Sequence, residues 1–297
     1  MDPTKAFPNW RGHQPWAQRV NALAGAGANA PDTLALFIEL EALLVAHPPA
    51  HGYRPTSAFL AQVAALDAAG QAMVGRDFLL WQIGQFAARW PCAGFDPIFH
   101  GWFVDAFHNV LDQLESPAFV ATVTRDQWQK NLALARLQLV PCCAQLVTLA
   151  SGVPRSVAVN SGPAGLFHVL ARCGGFAPFA EIHTHDPMVG AYFNPQGWEQ
   201  CARLLARLLS KMPACRGVYA TSWFFDPALG AISPKLAYLH DLPAAAGARF
   251  LRLGPDRESF ELATAFPPRR KAWEAGTYQP CRYAIVWPRR ALLAHYG

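Results

Sequence analysis

The sequence is poor in charge. Only 15% of its 297 residues are Asp, Glu, Lys or Arg, whereas 52% are hydrophobic. A chain of this composition can bury a large core, which excludes global disorder. The net charge is only +5, and its basic residues cluster in two short runs, 269–271 and 289–290. Because nucleic-acid binders carry broad basic surfaces, we expect no nucleic-acid partner.

Regular cysteine spacing and long apolar runs are also missing. The seven cysteines include no Cys-x-x-Cys pair, which argues against a disulfide framework and a structural zinc site. No run of about 18 apolar residues indicates a membrane-spanning helix. Residues 1–16 lack the apolar segment of a secretory signal. We therefore expect reduced thiols, a bacterial-type cytoplasmic location, and no membrane partner.

Two halves of the chain differ in their hydrophobic pattern. Residues 1–150 are predicted to be mostly helical, and residues 151–297 to form an α/β domain. The helices are predicted at 32–47, 56–73, 76–90, 96–115 and 124–149. In the second half, strands are predicted at 155–162, 178–185, 216–226 and 248–254, and a strand followed by a strand or short helix at 281–296. Helices are predicted between them at 163–175, 194–212, 233–247, 257–266 and 268–276. This order predicts an α/β (α+β) fold, in which a helical N-terminal region packs on a mixed sheet with flanking helices.

The strand at 178–185 runs into the segment EIHTHD, residues 181–186. Alternate residues of a strand share a face, so Glu181, His183 and His185 are predicted to point the same way. Two imidazoles and a carboxylate are a donor set for non-haem iron or zinc. One histidine can instead act as a general base in a pocket, because its pKa lies near neutrality. A purely structural role is the third interpretation.

The helical half contains two further polar pairs. Asp96 with His100, and His108 with Asp112, are each four residues apart, which resembles ligand spacing in helical di-iron proteins. A partner carboxylate would have to come from Glu39 or Glu41. Such pairs also occur as helix-surface contacts or core hydrogen bonds. Cys142 and Cys143 fall in the segment predicted as a helix at 124–149, where Pro141 is expected to bend or split it, and we expect both thiols to be buried.

The last 80 or so residues carry one family resemblance. The strand GVYATSWFFD is followed by a helix, the strand ARFLRL, and a helix whose end, AWEAGTY, runs into the strand RYAIVW. This order resembles the closing half of a GNAT-type acyltransferase. In that family a central strand splays from its neighbour to receive the pantetheine of acyl-CoA, and a late helix ends in an aromatic-Gly turn. The segment PALGAISPK, residues 227–235, departs from the family's glycine-rich pyrophosphate loop.

The resemblance implies an acyl-CoA-dependent transferase acting on a small amine-bearing substrate. It implies that Ser222, Trp223 and Phe224 bind the acyl donor, and that Tyr283 or Tyr278 serves as general acid. Glu181, His183 or His185 would then be the base that accepts the proton of the amine. Two alternatives stay open: a metal-dependent enzyme that uses the EIHTHD strand, and a protein that binds a ligand without catalysis.

Overall fold

The computed structural model describes residues 14–23, 31–49, 52–116 and 122–297. The prediction that residues 1–16 hold no secretory signal therefore falls largely outside the described residues. The chain divides into two compact units, Met1–Pro141 and Cys142–Gly297. None of the described helices is both long and apolar enough to cross a bilayer.

The first unit is mainly helical. Its α-helices are Gln14–Leu23 (α1), Pro31–Ala46 (α2), Ser57–Ala64 (α3), Ala68–Met73 (α4), Leu79–Gly84 (α5), Phe86–Arg89 (α6), Ile98–Glu115 (α7) and Asp126–Ala135 (α8). A π-helical turn, Val74–Phe78, joins α4 to α5, and a 3-10 turn, Trp90–Cys92, follows α6. The helix predicted at 56–73 is broken in two because the Asp67 carboxylate accepts a hydrogen bond from Gly70 N and starts α4.

Aromatic side chains fill the core of the first unit. Phe86 is fully buried, and the rings around it include Phe107 at a centroid distance of 4.9 Å, Phe103 at 5.5 Å and Trp16 at 6.1 Å. The ring of Phe107 meets Phe86 edge-on, the arrangement that aromatic quadrupoles favour. These contacts tie α1, α6 and α7 together.

The helix predicted at 124–149 is wrong beyond residue 135. Helix α8 ends at Ala135, and Leu137 adopts a left-handed φ of 59° that no helix can continue through. Two strands follow, Leu139–Cys142 (β1) and Gln145–Ser151 (β2). Pro141 therefore lies in a strand and bends no helix. Cys142 and Cys143 are buried as expected, with Cys143 at a φ of 60° between the two strands.

A buried charge cluster stabilises the first unit. Glu41 forms ion pairs with Arg136 and, at 3.5 Å, with Arg89, and it accepts a hydrogen bond of 2.7 Å from Gln82 Nε2. Burial lowers the pKa of both guanidiniums, and the carboxylate of Glu41 opposes that effect. Glu41 is thus the shared counter-ion of two buried cations and is engaged away from any metal.

Replacing Glu41 by Ala is expected to lower the free energy of unfolding by about 2 kcal/mol, because it leaves two partly buried cations without their shared counter-ion. Urea titration followed by circular dichroism measures the loss. Glu39→Ala is the matched control, since the Glu39 carboxylate only accepts an exposed hydrogen bond from Gln62. Equal losses in the two variants would contradict the role assigned to Glu41.

A six-stranded mixed sheet has the order β1-β2-β3-β4-β6-β5. The strands that follow β2 are Phe179–Thr184 (β3), Gly217–Ser222 (β4), Arg249–Gly254 (β5) and Arg282–Pro288 (β6). β3 and β4 are parallel, whereas β2–β3, β4–β6 and β5–β6 are antiparallel. This mixed sheet with helices confirms the predicted fold class. The division between the units falls within β1, and residue 150 lies within β2.

Helices follow most strands of the second unit. They are Arg155–Asn160 (α9), Gly162–Phe167 (α10), Val189–Tyr192 (α11), Pro195–Ser210 (α12), Leu229–Ile232 (α13), Tyr238–Ala245 (α14), Arg257–Thr264 (α15), Pro267–Glu274 (α16) and Arg289–Tyr296 (α17). Shorter π-helical and 3-10 turns are His168–Arg172, Asp186–Met188, Trp223–Phe225 and Pro234–Leu236. The strand predicted at 155–162 is wrong. After Pro154 this segment forms α9, whose Val157 and Ala158 face the core.

The two faces of the sheet are covered by different helices. On the first face, Phe179, Tyr219 and Val286 pack against Val157 and Ala158 of α9. On the second face, α17 contacts β4 and β6, α14 contacts β5, and α12 packs against α14 and α17. Because cross-strand partners share a face, the face of each strand residue follows from the register.

Trp287 anchors the second face. Its side chain is fully buried, and its indole Nε1–H donates to the carbonyl oxygen of Ala246 at 2.9 Å. We expect Trp287→Ala to lower the free energy of unfolding by about 3–5 kcal/mol, because it leaves a large cavity and an unpaired carbonyl. Denaturant unfolding tests this. Trp273→Ala serves as control, since Trp273 is 39% exposed. A Trp287 variant no less stable than that control would show that β6 is peripheral.

Candidate active site

Strands β3 and β4 separate in the middle of the sheet. Their backbones pair only at Ala180 with Val218 and at Glu181 with Tyr219, although each strand continues for three more residues. Over those residues β3 stays paired with β2, and β4 stays paired with β6. We call residues 182–184 and 220–222 the splayed junction. A gap between neighbouring strands can admit an elongated ligand.

Polar side chains border this junction on the first face. Glu181 shares that face with Tyr219, its cross-strand partner, and His183 lies two residues further along β3. Both Glu181 and His183 are half-buried. The hydroxyl of Ser151 donates to Glu181 Oε2 at 2.6 Å, which orients the carboxylate. The structure therefore brings Glu181 and His183 to one face, as predicted.

Thr221 and Arg282 complete the first-face polar set, and sequence reasoning missed both. The side chain of Arg282 donates through Nη2 to Thr221 Oγ1 at 2.9 Å. Tyr219 lies near both charged groups: burial raises its pKa, the Glu181 charge raises it further, and the Arg282 charge lowers it. Only the cross-strand register could have linked Glu181 to Arg282, which is 101 positions away.

His185 lies beyond the end of β3. Its backbone N–H donates to the carbonyl oxygen of Ala144 at 2.9 Å, and its carbonyl accepts from Met188 N at 2.9 Å. The side chain is buried, unlike those of Glu181 and His183. Among the described residues, no group of three or more His, Cys, Asp or Glu side chains is placed to hold a metal ion. The alternative of an iron or zinc site at Glu181, His183 and His185 thus gains no support.

The second face presents another polar row. Ser222 pairs with Tyr283, which pairs in turn with Arg252. Burial raises the pKa of Tyr283 above its ordinary value, the charge of Asp226 raises it further, and Arg252 lowers it. Tyr283 is therefore protonated at neutral pH and can donate a proton. It stands on the face opposite Glu181.

The residues predicted to bind an acyl donor lie at the end of β4 and in the turn that follows it. The hydroxyl of Ser222 accepts a hydrogen bond from Phe224 N at 3.1 Å and starts a 3-10 turn. The rings of Trp223 and Phe224 lie 4.1 Å apart. Trp223 is buried beside Tyr278, with the Arg269 guanidinium 4.7 Å above its ring. Trp223 is thus a core residue, whereas Phe224 is half-buried.

An aromatic cluster lies next to Phe224 and was not predicted. The ring of Phe193 lies 5.1 Å from Phe224 in a tilted contact and 6.4 Å from Tyr238 in an edge-on contact, and Trp198 lies 6.4 Å from Phe225. Within the described part of the chain, the Trp198 indole N–H and the Tyr238 hydroxyl are buried and have no hydrogen-bond partner. Burial raises the pKa of Tyr238 to about 12, so its hydroxyl remains a donor.

Trp198 belongs to the first turn of α12, a helix of 16 residues. The Asn194 side chain caps this helix by accepting from Gly197 N at 2.8 Å. Helix N-termini present unpaired backbone N–H groups and a partial positive charge, which favour anions. In α12, however, Pro195 carries no N–H and Trp198 N donates to the carbonyl oxygen of Asn194 at 2.9 Å, so this end offers an anion mainly its partial positive charge.

The Asp–His pairs of the first unit are engaged elsewhere. Asp96 accepts from Ile98 N at 3.0 Å, and Asp112 pairs with Arg19 at 2.7 Å. His108 Nδ1 lies 3.4 Å from the same guanidinium, and His100 is buried against Trp90 at 5.2 Å. These contacts are structural, so the di-iron interpretation gains no support.

Outside the junction, an open cavity of about 400 Å³ runs along the edge strand β5. It is lined by all residues of β5 together with Asn160 and Ser161. It lies apart from Glu181 and His183, and none of the predicted site residues lines it.

The thiols offer no nucleophile. Six of the seven cysteines are buried, and burial raises the pKa of Cys143 and Cys173 to about 12. A raised pKa keeps a thiol protonated and unreactive until the pH approaches that value. We expect a thiol reagent at pH 8 to label only the exposed Cys92 rapidly, and all seven thiols after denaturation. The Cys92→Ser variant should show no fast thiol; a second fast thiol in the native protein would contradict this assignment.

No protein-family model, no curated protein and no solved structure significantly matches the chain. The splayed junction, with Glu181, Arg282 and Tyr283 on its two faces, is therefore the basis for a functional proposal.

Proposed function

We propose that the second unit is a GNAT-like acyltransferase that moves an acyl group from acyl-CoA to the amine of a small substrate. The main support is the splayed junction, since the family that the C-terminal strands resemble receives pantetheine at such a gap. The order of β4, α14, β5, α16 and β6 also agrees with the resemblance. The turn after α16 contains Gly276 at a φ of 69°, in the segment AWEAGTY.

The anionic end of the acyl donor binds beside α12 in this proposal. The segment PALGAISPK, where the family's pyrophosphate loop was expected, instead forms α13 and a 3-10 turn. Pro195 carries no N–H, and the N–H groups of Gly197 and Trp198 donate to Asn194, so the end of α12 contributes its partial positive charge to a bound phosphate. Trp198 and Tyr238 add two buried donors, and Phe193 and Phe224 provide apolar walls for the pantetheine chain.

The chemistry of the step needs a base and an acid. The donor supplies a thioester, whose C–S bond breaks as the C–N bond to the amine forms. Glu181, oriented by Ser151, accepts the proton that the amine loses, and the neighbouring His183 can relay it. Tyr283 gives a proton to the departing thiolate. A ligand between β3 and β4 is exposed to side chains of both faces of the sheet. The base, Glu181, and the acid, Tyr283, can therefore act from opposite faces.

Replacing Glu181 by Gln is expected to lower kcat/KM for amine acylation by about 10²–10⁴, because the amine loses its base. Rates are measured with acyl-CoAs from acetyl to octanoyl and a mixture of primary amines, by mass spectrometry of the products. Affinity for the acyl donor should not change, as isothermal titration calorimetry can check. The alkaline limb of the rate should lie above about pH 10, because burial raises the pKa of Tyr283 from its ordinary value.

Glu199→Gln is the matched control, since Glu199 is an exposed carboxylate paired with Arg203. That variant should act like the wild type. If no acyl-CoA raises the melting temperature of the wild-type protein and no amine is acylated, the proposed function is wrong. A Glu181→Gln variant with full activity would leave the acyltransferase standing but remove Glu181 as its base.

A further inference from the structure

We propose that the acyl acceptor carries an anionic group, a carboxylate or a phosphate, close to its amine, and that Arg282 binds this group. The inference rests on the proposed acyl transfer, because it places the acceptor on the first face of the same junction. It adds a substrate class, amino acids and amino phosphates, and a specificity-determining residue.

The guanidinium of Arg282 has N–H donors that are available to a ligand. It is half-buried, and its one hydrogen bond to another side chain goes from Nη2 to Thr221. Among the described residues it forms no ion pair within 4.0 Å. A guanidinium offers five N–H donors in a planar fork that matches the two oxygens of a carboxylate or phosphate. Desolvating such a cation favours a bound anion.

The spacing between Glu181 and Arg282 suits a short bifunctional molecule. Glu181 pairs with Tyr219, and Thr221 lies two residues further along β4. With ordinary strand spacing of about 4.8 Å and a rise of about 3.3 Å per residue, the Cα atoms of Glu181 and Thr221 would stand about 8 Å apart, and the end of pairing after Glu181 permits a larger separation. The guanidinium of Arg282 is held at Thr221. An amine and an anionic group joined through one or two carbons, with a hydrogen bond of about 2.9 Å at each end, can bridge a carboxylate and a guanidinium separated by a distance of this order.

The charges around Tyr219 are arranged to bind a zwitterion. Glu181 and Arg282 act with opposite signs on the titration of Tyr219, which places an anion and a cation near the same hydroxyl. The carboxylate of Asp256 accepts from Ser259 N at 3.0 Å through Oδ1 as the cap of α15, and the charge of Arg282 helps to lower its pKa, so Asp256 is a second anion near Arg282 but outside ion-pair distance. A zwitterion laid across Tyr219 would put its ammonium toward Glu181 and its anion toward Arg282.

The test compares acceptors that differ only in the anionic group. With the same acyl-CoA panel, rates are measured for α-amino acids, for the amines that lack only the α-carboxylate, and for phosphoethanolamine. We expect an anionic acceptor to exceed its neutral analogue by roughly 10- to 100-fold in kcat/KM, the value of a charge-assisted hydrogen bond. The amino-acid and phosphoethanolamine arms tell a carboxylate from a phosphate.

Arg282→Gln should lower kcat/KM for the anionic acceptor by the same factor, mostly through KM, and leave neutral amines unchanged. Arg282→Lys should restore part of the loss. Thr221→Val removes the hydrogen bond that holds the guanidinium but keeps the cation, so it should reduce the preference less than Arg282→Gln does. Arg290→Gln, at an exposed arginine of α17, should behave like the wild type.

Binding without the donor gives a second readout. The preferred acceptor alone should raise the melting temperature of the wild type but not of Arg282→Gln. The inference fails if neutral amines are acylated as fast as anionic ones, or if Arg282→Gln slows all acceptors equally; acyl transfer itself would stand in both cases. If no acceptor in any arm is acylated, the proposed function fails and the inference fails with it.

Discussion

The early end of backbone pairing between β3 and β4 is the constraint on which the rest of the site depends. Within a sheet, each strand normally satisfies the N–H and C=O groups of its neighbours. Here β3 and β4 share only two residue pairs, and each then follows its other neighbour. The segments after them diverge as well: Asn194 caps α12, and Ser222 starts a 3-10 turn. The gap and its polar border are consequences of this divergence.

Alternation along a strand could be predicted from the sequence, but the end of the strand could not. Glu181 and His183 share a face because β3 includes both, whereas β3 stops at Thr184. Pro187 follows closely and restricts the backbone of Asp186, which favours a turn at this point. The same periodicity that correctly grouped the first two residues therefore does not extend to His185. Elements with strong patterns, such as α7, α12 and β6, lie where the sequence predicted them.

Segments with apolar residues on all sides carried no periodicity to distinguish helix from strand. VPCCAQLV at 140–147 was assigned to a helix, but a left-handed residue, Leu137, ends α8 before it. The apolar alternation at 155–162 suggested a strand, yet packing of Val157 and Ala158 on the sheet makes it helical. Trp198 and Tyr238 were missed for another reason. An aromatic residue on a helix usually signals a core, and only the missing hydrogen-bond partners mark these two.

The two halves of the proposed site are joined by the first two residues of β6. Arg282 faces the Glu181 side of the sheet, and its neighbour Tyr283 faces the other side with Ser222. In the mechanism that we propose, the cation for the acceptor and the acid for the leaving group come from adjacent positions of one strand. Because a slip of one residue would exchange their faces, the register between β4 and β6 must be held firmly. Trp287, buried in the same strand and bonded to Ala246, fixes that register from the far end.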